Sequence, residues 1–177
     1  VKIQRPGVKA TMALDIDIMR SLVRQASRFM KDDQFVDLRE VVEEMWATFL
    51  EETDFRREAE NLEEFARLNE GCVFVGSPKV YRELCTEYVL VMEYVEGIPI
   101  SCADRLRAAG YDLEEIGVKL LDNYATQVLD EGFFHADPHP GNIMVSGGRI
   151  VLLDLGMTGR LNAKTRSVLK DMIFAVA

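Results

Sequence analysis

Apolar side chains recur every three or four residues over the first third of the chain, and this spacing predicts amphipathic helices. The first stretch covers residues 12–30 and ends at a charged run at residues 31–33. The second covers residues 38–68, either as one long helix or as two helices that meet near Thr53. The N-terminal third is therefore predicted to be mainly helical, after a short extended start with the sequence VKI.

Three further helices are predicted in the second half of the chain. A short one fits residues 102–109. Asp112 is a suitable N-cap for a longer helix, and Gly132 suits the left-handed position that follows a helix C-terminus. Asn162 is a suitable cap for a last helix that continues to the end of the chain.

Two β-hairpins are predicted between these helices. Residues 80–84 and 88–94 are rich in valine and tyrosine and are separated by three residues. Residues 143–145 and 150–155 flank a Ser-Gly-Gly-Arg turn. Helices and hairpins without a recognisable linker predict an α+β fold.

Composition excludes some classes of function. The chain has 177 residues and a formal net charge of −9, which argues against a nucleic-acid-binding protein, because phosphate backbones need clustered Lys and Arg. The three cysteines have no C-x-x-C spacing, which favours reduced thiols in a cytoplasmic compartment. No apolar run approaches the 18 residues of a membrane span.

One loop concentrates polar side chains. Both histidines of the chain lie in HADPHPGN, residues 135–142, where two prolines and a glycine exclude a regular helix. Asp137 and Asn142 are five residues apart, and Asp154 follows at the end of the second predicted hairpin. Aspartate and asparagine oxygens suit Mg²⁺, and a further carboxylate can orient or deprotonate a hydroxyl group. These are the requirements of phosphoryl transfer.

Four segments resemble the motifs of a protein kinase. HADPHPGN resembles the catalytic loop, DLG at residues 154–156 resembles D-F-G, and VMEYVEG at 91–97 resembles the hinge. VKIQRPG at the start resembles the strand that carries the ATP-binding lysine. These segments, together with ETDFRREAEN at 52–61, are similar to the AarF/UbiB family of atypical kinases.

The resemblance implies a role for each matching residue. Asp137 would be the catalytic-loop aspartate, and Asn142 and Asp154 would be the Mg²⁺ ligands. Lys2 would contact the nucleotide phosphates, with Glu52 of the family's E-x-D motif as its partner.

The resemblance also implies a nucleotide site around these residues. Asp54, the second acid of the E-x-D motif, and Glu58 are assigned to it. The backbone groups of Glu93 and Val95 would contact adenine, behind Met92. Ala136 replaces the arginine of H-R-D, so control by a phosphorylated loop that pairs with this arginine is not expected.

The implied fold has two lobes, with residues 1–97 in a partial small lobe and 98–177 in a partial helical lobe. The family's K-x-G-Q segment and alanine-rich loop precede the lysine strand and are absent here, so the chain is expected to be part of a longer protein. The implied function is that of an ATP- and Mg²⁺-dependent kinase-like enzyme or ATPase. Its implied partners are ATP, a small-molecule or isoprenoid lipid substrate of ubiquinone metabolism, and a peripherally contacted membrane.

Other interpretations remain open from the residues alone. A small-molecule phosphotransferase of the aminoglycoside or choline kinase type uses a similar loop, and a nucleotide-binding scaffold with little turnover would keep it. His135, Asp137 and His139 could form a metal site, although zinc hydrolases usually need more imidazoles. The acidic residues around Glu52 could also be an ordinary solvated helix face.

Overall fold

The computed structural model describes residues 1–26 and 38–176. The helices of this part of the chain are α1 (Val8–Ala26), α2 (Leu38–Glu52), α3 (Phe55–Leu68), α4 (Ala103–Ala108), α5 (Leu113–Thr126) and α6 (Ala163–Val176). A π-helical turn, Gln127–Glu131, extends α5. The predicted helix end at residues 27–30 and the charged run at residues 31–33 lie outside the described residues.

The long second helical stretch is two helices, and the break lies where the sequence places it. Helix α2 ends at Glu52, and the Asp54 side chain caps α3 by accepting a hydrogen bond from the Arg56 N–H at 3.0 Å. The cap satisfies a free N–H of the first turn and allows the new helix to start in a new direction. The predicted caps Asp112 and Asn162 are confirmed in the same way, as is the left-handed backbone at Gly132.

The strands are short and form three sheets. They are β1 (Lys2–Ile3), β2 (Val75–Gly76), β3 (Val89–Leu90), β4 (Ile98–Pro99), β5 (Phe133–His135), β6 (Ile143–Ser146), β7 (Arg149–Leu152) and β8 (Thr158–Arg160). The largest sheet has the order β2-β7-β6-β4, in which only β2 and β7 are parallel. The other two are the antiparallel pairs β1-β3 and β5-β8.

The second predicted hairpin is confirmed. Strands β6 and β7 pair antiparallel from Ile143 opposite Leu152 to Ser146 opposite Arg149. The two turn residues, Gly147 and Gly148, have φ angles of 56° and 81°. Positive φ at both central positions matches the right-handed twist of the strands, and glycine adopts it without steric cost.

The first predicted hairpin forms only in part. Residues 82–84 are a 3₁₀ turn rather than a strand, and a single bridge joins Val80 to Met92. Strand β3 pairs instead with β1, so that Lys2 lies opposite Leu90. Local sequence favours an extended backbone here but cannot choose between a nearby and a distant partner.

Helix α3 lies at the centre of the hydrophobic core. Ala59, Leu62 and Phe65 on one of its faces are completely buried. They belong to a core cluster with residues of the four-stranded sheet and of the segment after it, including Val75, Ile143, Ile150, Leu152 and Leu155. Packing of α3 therefore fixes its position relative to the loop and the hairpin that carry the predicted site.

The observed α+β fold agrees with the sequence-based expectation. The division into lobes at residues 97 and 98 stays a prediction, and the four-stranded sheet draws β2 from one side of that boundary and β4, β6 and β7 from the other. Among the described residues, no helix is both long and apolar enough to cross a membrane.

Candidate active site

The ammonium group of Lys2 joins two carboxylates that are far apart in sequence. Its Nζ lies 2.8 and 2.9 Å from the two oxygens of Glu58, and 2.8 Å from Oδ2 of Asp154. The Glu58 side chain is only 3% exposed, whereas those of Lys2 and Asp154 are 35% and 32% exposed. The ammonium also lies 5.3 Å from the ring centroid of Phe55, within reach of a cation–π interaction. The cluster thus has a buried side and an open side.

Backbone contacts hold Lys2 in this place. The pairing of β1 with β3 continues at Gln4, whose N–H donates to the Tyr88 carbonyl at 2.9 Å. The Gln4 side chain donates to the Thr53 carbonyl between α2 and α3 at 2.6 Å. The Phe55 N–H donates to the Glu87 carbonyl at 3.1 Å. The lysine strand, β3 and the start of α3 are therefore one connected unit.

The predicted Lys2–Glu52 pair is wrong, because the structure pairs Lys2 with Glu58. Glu52 is the last residue of α2 and is exposed, whereas Glu58 lies on the buried face of α3. The cap at Asp54 changes the chain direction between them. Glu52 instead lines a cavity of about 490 Å³ together with Thr48, Glu51, Glu60 and residues of the segment after Asp154. Its role as a catalytic residue stays a prediction.

Burial and ion pairing set the charges in the cluster. Burial raises the pKa of Glu58, the hydrogen bond from Lys2 opposes this, and the charge of Asp154 adds to it, so the net pKa lies above its ordinary value. Burial also acts to raise the pKa of Asp154, but the hydrogen bonds from Lys2 and the Gly156 N–H leave it lowered. Burial acts against the charge of Lys2, but hydrogen bonds to Asp154 and Glu58 outweigh it and raise its pKa. Lys2 and Asp154 are therefore both charged at neutral pH.

The catalytic-loop residues are fixed through the backbone. The Ala136 N–H donates to the Met157 carbonyl at 3.0 Å, which ties the loop to the segment after Asp154. Nδ1 of the buried His135 lies 3.3 Å from the same carbonyl and 3.4 Å from the Asp137 N–H. This places Asp137 at the exposed edge of the loop, beside residues 154–157.

The hairpin brings Asn142 to Asp154. The Leu153 N–H donates to the Asn142 carbonyl at 2.8 Å, one step beyond the Ile143–Leu152 pair. Within the described part of the chain, the side chains of Asn142 and Asp137 make no hydrogen bond or ion pair, so their oxygens are free to bind a ligand. Asn142 lies just before β6 and Asp154 just after β7, and both are half-buried. One carboxamide and one carboxylate oxygen at this end of the hairpin fit Mg²⁺ completed by water and phosphate.

The predicted adenine-binding residues have unequal hydrogen bonding. The Glu93 N–H donates to the Lys79 carbonyl at 2.8 Å, and the Glu93 carboxylate accepts from the Lys79 N–H at 3.1 Å. Val95 has no hydrogen-bond partner among the described residues, so its backbone groups are available. The Asp54 carboxylate is engaged by Arg56, at 2.7 Å from Nη2. The roles of Asp54, Glu93 and Val95 in nucleotide binding stay predictions.

Sequence reasoning missed a buried chain of carboxamides that supports the catalytic loop. Asn69 accepts from Asn123 at 2.6 Å, Asn123 accepts from Gln127 at 2.8 Å, and Gln127 accepts from the backbone N–H of His135 at 3.0 Å. All four residues are buried. The spacing of Asn123 and Gln127 by four residues was the available signal, but periodicity alone does not show which polar residues face inward.

A second missed residue is Asn61, the last residue of ETDFRREAEN. Its side-chain N–H donates to the Leu155 carbonyl at 2.9 Å. The signal was its position three residues after Glu58, on the same face of α3.

The alternative of a histidine metal site finds no support in the geometry. Among the described residues, no group of three or more His, Cys, Asp or Glu side chains is placed to hold a metal ion. His139 is exposed and its Nδ1 accepts from the Gly141 N–H at 3.1 Å, which shapes the loop.

Lys2 on strand β1 pairs with Glu58 on helix α3, and the loop at residues 135–142 and the β6–β7 hairpin follow in the chain. This arrangement is that of a protein-kinase-like fold. The whole chain, residues 1–177, matches the ABC1 atypical kinase-like domain. The chain belongs to this family, and the resemblance found in the sequence is confirmed.

Relatives agree with this assignment. An uncharacterized protein in the hydrogenase 1 5′ region of Clostridium pasteurianum is 40% identical over 177 residues, which are 100% of this chain and 33% of that protein. The chloroplastic protein ACTIVITY OF BC1 COMPLEX KINASE 8 of Arabidopsis thaliana is 35% identical over 99% of this chain and 24% of its own length. The chain therefore spans about a third or less of these relatives.

A solved structure has the same fold. The complex of Rv3197 with erythromycin, from Mycobacterium tuberculosis, is 25% identical and superposes with a TM-score of 0.72. The match covers 89% of this chain and 39% of that chain.

Proposed function

We propose that this protein is an ATP- and Mg²⁺-dependent kinase-like enzyme or ATPase that acts on a small or lipid-like molecule. The observation that carries the proposal is the Lys2 ammonium bridging Glu58 and Asp154. A buried glutamate that holds a lysine beside a metal-binding aspartate is the arrangement that positions nucleotide phosphates in kinases. The AarF/UbiB resemblance supports a more specific proposal, in which the substrate belongs to isoprenoid lipid metabolism and the protein contacts a membrane peripherally.

Each residue of the cluster has a separate task. Lys2, held by Glu58 and kept charged by its neighbours, would neutralise the nucleotide phosphates. Asn142 and Asp154 would hold Mg²⁺, which would supply positive charge beside the nucleotide phosphates. Asp137, exposed and unpaired within the described chain, would orient the acceptor hydroxyl and accept its proton.

The Lys2–Asp154 contact supports a link between the proposed roles of these two residues. In the structure, Lys2 neutralises Asp154 directly at 2.8 Å. A metal ion on Asp154 would replace this charge and leave Lys2 available for phosphate. The residues of this chain therefore favour binding of nucleotide and metal together rather than of either alone.

The test separates metal binding from turnover. Asp154→Asn should abolish the Mg²⁺-dependent part of ADP binding, because the metal loses its charged ligand. Asp137→Asn should leave ADP affinity unchanged and lower turnover by about 10²-fold or more if Asp137 acts as a base. The measurements are calorimetric binding of ADP with and without Mg²⁺, and ATP hydrolysis. Unchanged Mg·ADP affinity in Asp154→Asn would contradict the proposal.

A second candidate is a phosphotransferase for small organic molecules. The observation that favours it is the structural neighbour solved as a complex with erythromycin, a small organic molecule bound to a protein of this fold. ATP consumption stimulated by an antibiotic or an amino alcohol such as choline, with transfer of the γ-phosphate to it, would select this candidate. Stimulation by a quinone precursor or by lipid vesicles would select the first.

A further inference from the structure

Asn61 contacts the segment that directly follows Asp154. Its carboxamide donates to the carbonyl of Leu155, the residue directly after Asp154. A carbonyl oxygen can only accept, so the contact fixes which end of the carboxamide faces it. Leu155 is completely buried, so this carbonyl has little access to water as an alternative partner.

The hydrogen bond controls a single peptide plane. The carbonyl of Leu155 and the N–H of Gly156 belong to the same trans peptide unit and point in opposite directions. The carbonyl is held by Asn61, and the N–H donates to Oδ1 of Asp154 at 2.9 Å. Rotation of this plane would break both hydrogen bonds at once.

Glycine at position 156 makes such a rotation sterically accessible. Turning the plane changes φ of residue 156, and glycine adopts positive φ about as readily as negative φ. Gly156 is not at positive φ in the structure. A Cβ there would lie 3.2 Å from Oδ1 of Asp154, so the carboxylate packs directly against this backbone. The contact from Asn61 adds to the hydrogen bond from the Gly156 N–H to Asp154 in favouring one orientation.

We infer that Asn61 is a positioning residue that orients Asp154 for metal binding by fixing the peptide plane between Leu155 and Gly156. Glu58 and Asn61 lie one turn apart on α3 and act on the same segment, Glu58 through Lys2 and Asn61 through the backbone. The metal role rests on the proposed function, whereas the peptide-plane role rests on the contacts alone.

The first test needs no nucleotide. Asn61→Leu keeps the approximate shape of the side chain and removes the donor, and we expect the Gly156 amide to exchange with solvent about tenfold faster. Ser77→Ala is the matched control, because it also removes a side-chain hydrogen bond to a backbone carbonyl, that of Leu62 on α3. Unchanged exchange at Gly156 in Asn61→Leu would overturn the inference.

The second test separates positioning from general stability. With Mg²⁺, the ADP affinity of Asn61→Leu should fall about tenfold, and with EDTA it should stay within about twofold of the original protein. Asn61→Ala should give the same ADP affinities as Asn61→Leu, because both substitutions remove the side-chain N–H donor. An equal loss with and without Mg²⁺ would show a structural role only and overturn the inference. Absence of Mg·ADP binding in the unsubstituted protein would overturn the proposed function and, with it, the role of Asn61 in metal binding. The exchange rate of the Gly156 amide would still decide whether Asn61 fixes the peptide plane.

Discussion

Glu58 and Glu52 lie six residues apart, and only Glu58 is buried and in contact with Lys2. Glu58 lies on the face of α3 that also carries the buried Ala59 and Leu62, so its charge is withdrawn from water and meets Lys2. Glu52 ends the preceding helix and remains in solvent. A buried carboxylate that accepts two short hydrogen bonds from an ammonium group holds that group in place more firmly than an exposed ion pair does.

Substitution of these two glutamates tests which of them orients Lys2. Glu58→Gln should weaken ATP affinity about tenfold, because a charge-assisted hydrogen bond is replaced by a neutral one and Lys2 is drawn towards Asp154. Glu52→Gln is the control and should change ATP affinity by less than about twofold. The measurement is equilibrium binding of ATP at fixed Mg²⁺. A larger loss in Glu52→Gln than in Glu58→Gln would restore the assignment made from the sequence motif.

At the scale of secondary structure, the ends of the helices position the site. The cap at Asp54 sets the direction of α3, and α3 presents both Glu58 and Asn61 to the segment after β7. The π-helical turn after α5 allows Gln127 to face inward and reach the His135 N–H. Such turns within helices are frequent at functional sites.

The cap at Asp54 should give stability a measurable pH dependence. Its pKa is lowered, chiefly by the hydrogen bond from the Arg56 side chain, so the folded state favours the charged form. This contribution is present above the ordinary pKa of an aspartate, near pH 4, and is lost as pH falls through the lowered value. Asp54→Asn keeps the cap and removes the charge, and we expect it to be less stable by up to about 1 kcal/mol at pH 7 and equally stable at low pH.

Urea denaturation from pH 7 to pH 2 measures this difference. Asp112→Asn is the control, because Asp112 caps α5 without an ion pair to any described basic side chain. A stability difference for Asp54→Asn that persists unchanged at low pH would contradict the explanation.

The buried carboxamides of α5 and its π-helical turn should behave as one network. Asn123→Leu or Gln127→Leu leaves a buried partner unsatisfied, and each should cost about 1–3 kcal/mol of folding free energy. The double substitution should cost less than the sum, because the first already breaks the chain of hydrogen bonds. Thr126→Ala, which removes an exposed hydrogen bond to Asp122, is the control and should cost less than about 0.5 kcal/mol. If the two losses of folding free energy were additive in the double-mutant cycle, Asn123 and Gln127 would act independently and the network would be contradicted.

At the scale of the whole molecule, the segment after Asp154 is short and fixed. Only seven residues separate Asp154 from the cap of α6 at Asn162. Three of them form β8, which pairs with β5 before the catalytic loop, and the Leu161 N–H donates to the Gly132 carbonyl at 2.7 Å. With β8 fixed against β5, only a few residues of this segment remain on which a peptide substrate could lie.

We therefore expect the protein to hydrolyse ATP or to phosphorylate a small or lipid-like molecule, and not to phosphorylate proteins in trans. Radiolabelled ATP with generic protein substrates, and separately with liposomes that carry a quinone-precursor mimic, measures both outcomes. Asp137→Asn is the control for activity from contaminating kinases. Efficient labelling of unrelated proteins, with no response of ATP hydrolysis to lipid, would contradict this expectation.

The sequence by itself determined the main helices, the caps at Asp112 and Asn162, the β6–β7 hairpin and the order of the kinase-like motifs. These features depend on local periodicity, on turn residues such as Gly147 and Gly148, and on polar caps, all of which act within a few residues. The hairpin also made the meeting of Asn142 and Asp154 predictable, because its register follows from its turn.

Only the tertiary structure decided the contacts that make these parts one site. Three contacts join residues between 56 and 94 positions apart: Lys2 with Glu58, β1 with β3, and Asn61 with Leu155. The pairing of Lys2 with Glu58 rather than Glu52 also depends on which face of α3 is buried. Such contacts follow from packing of the core around α3, which fixes helix direction and rotation. The apolar spacing of α3 indicates which face is buried, but local sequence does not show which distant residues that face meets.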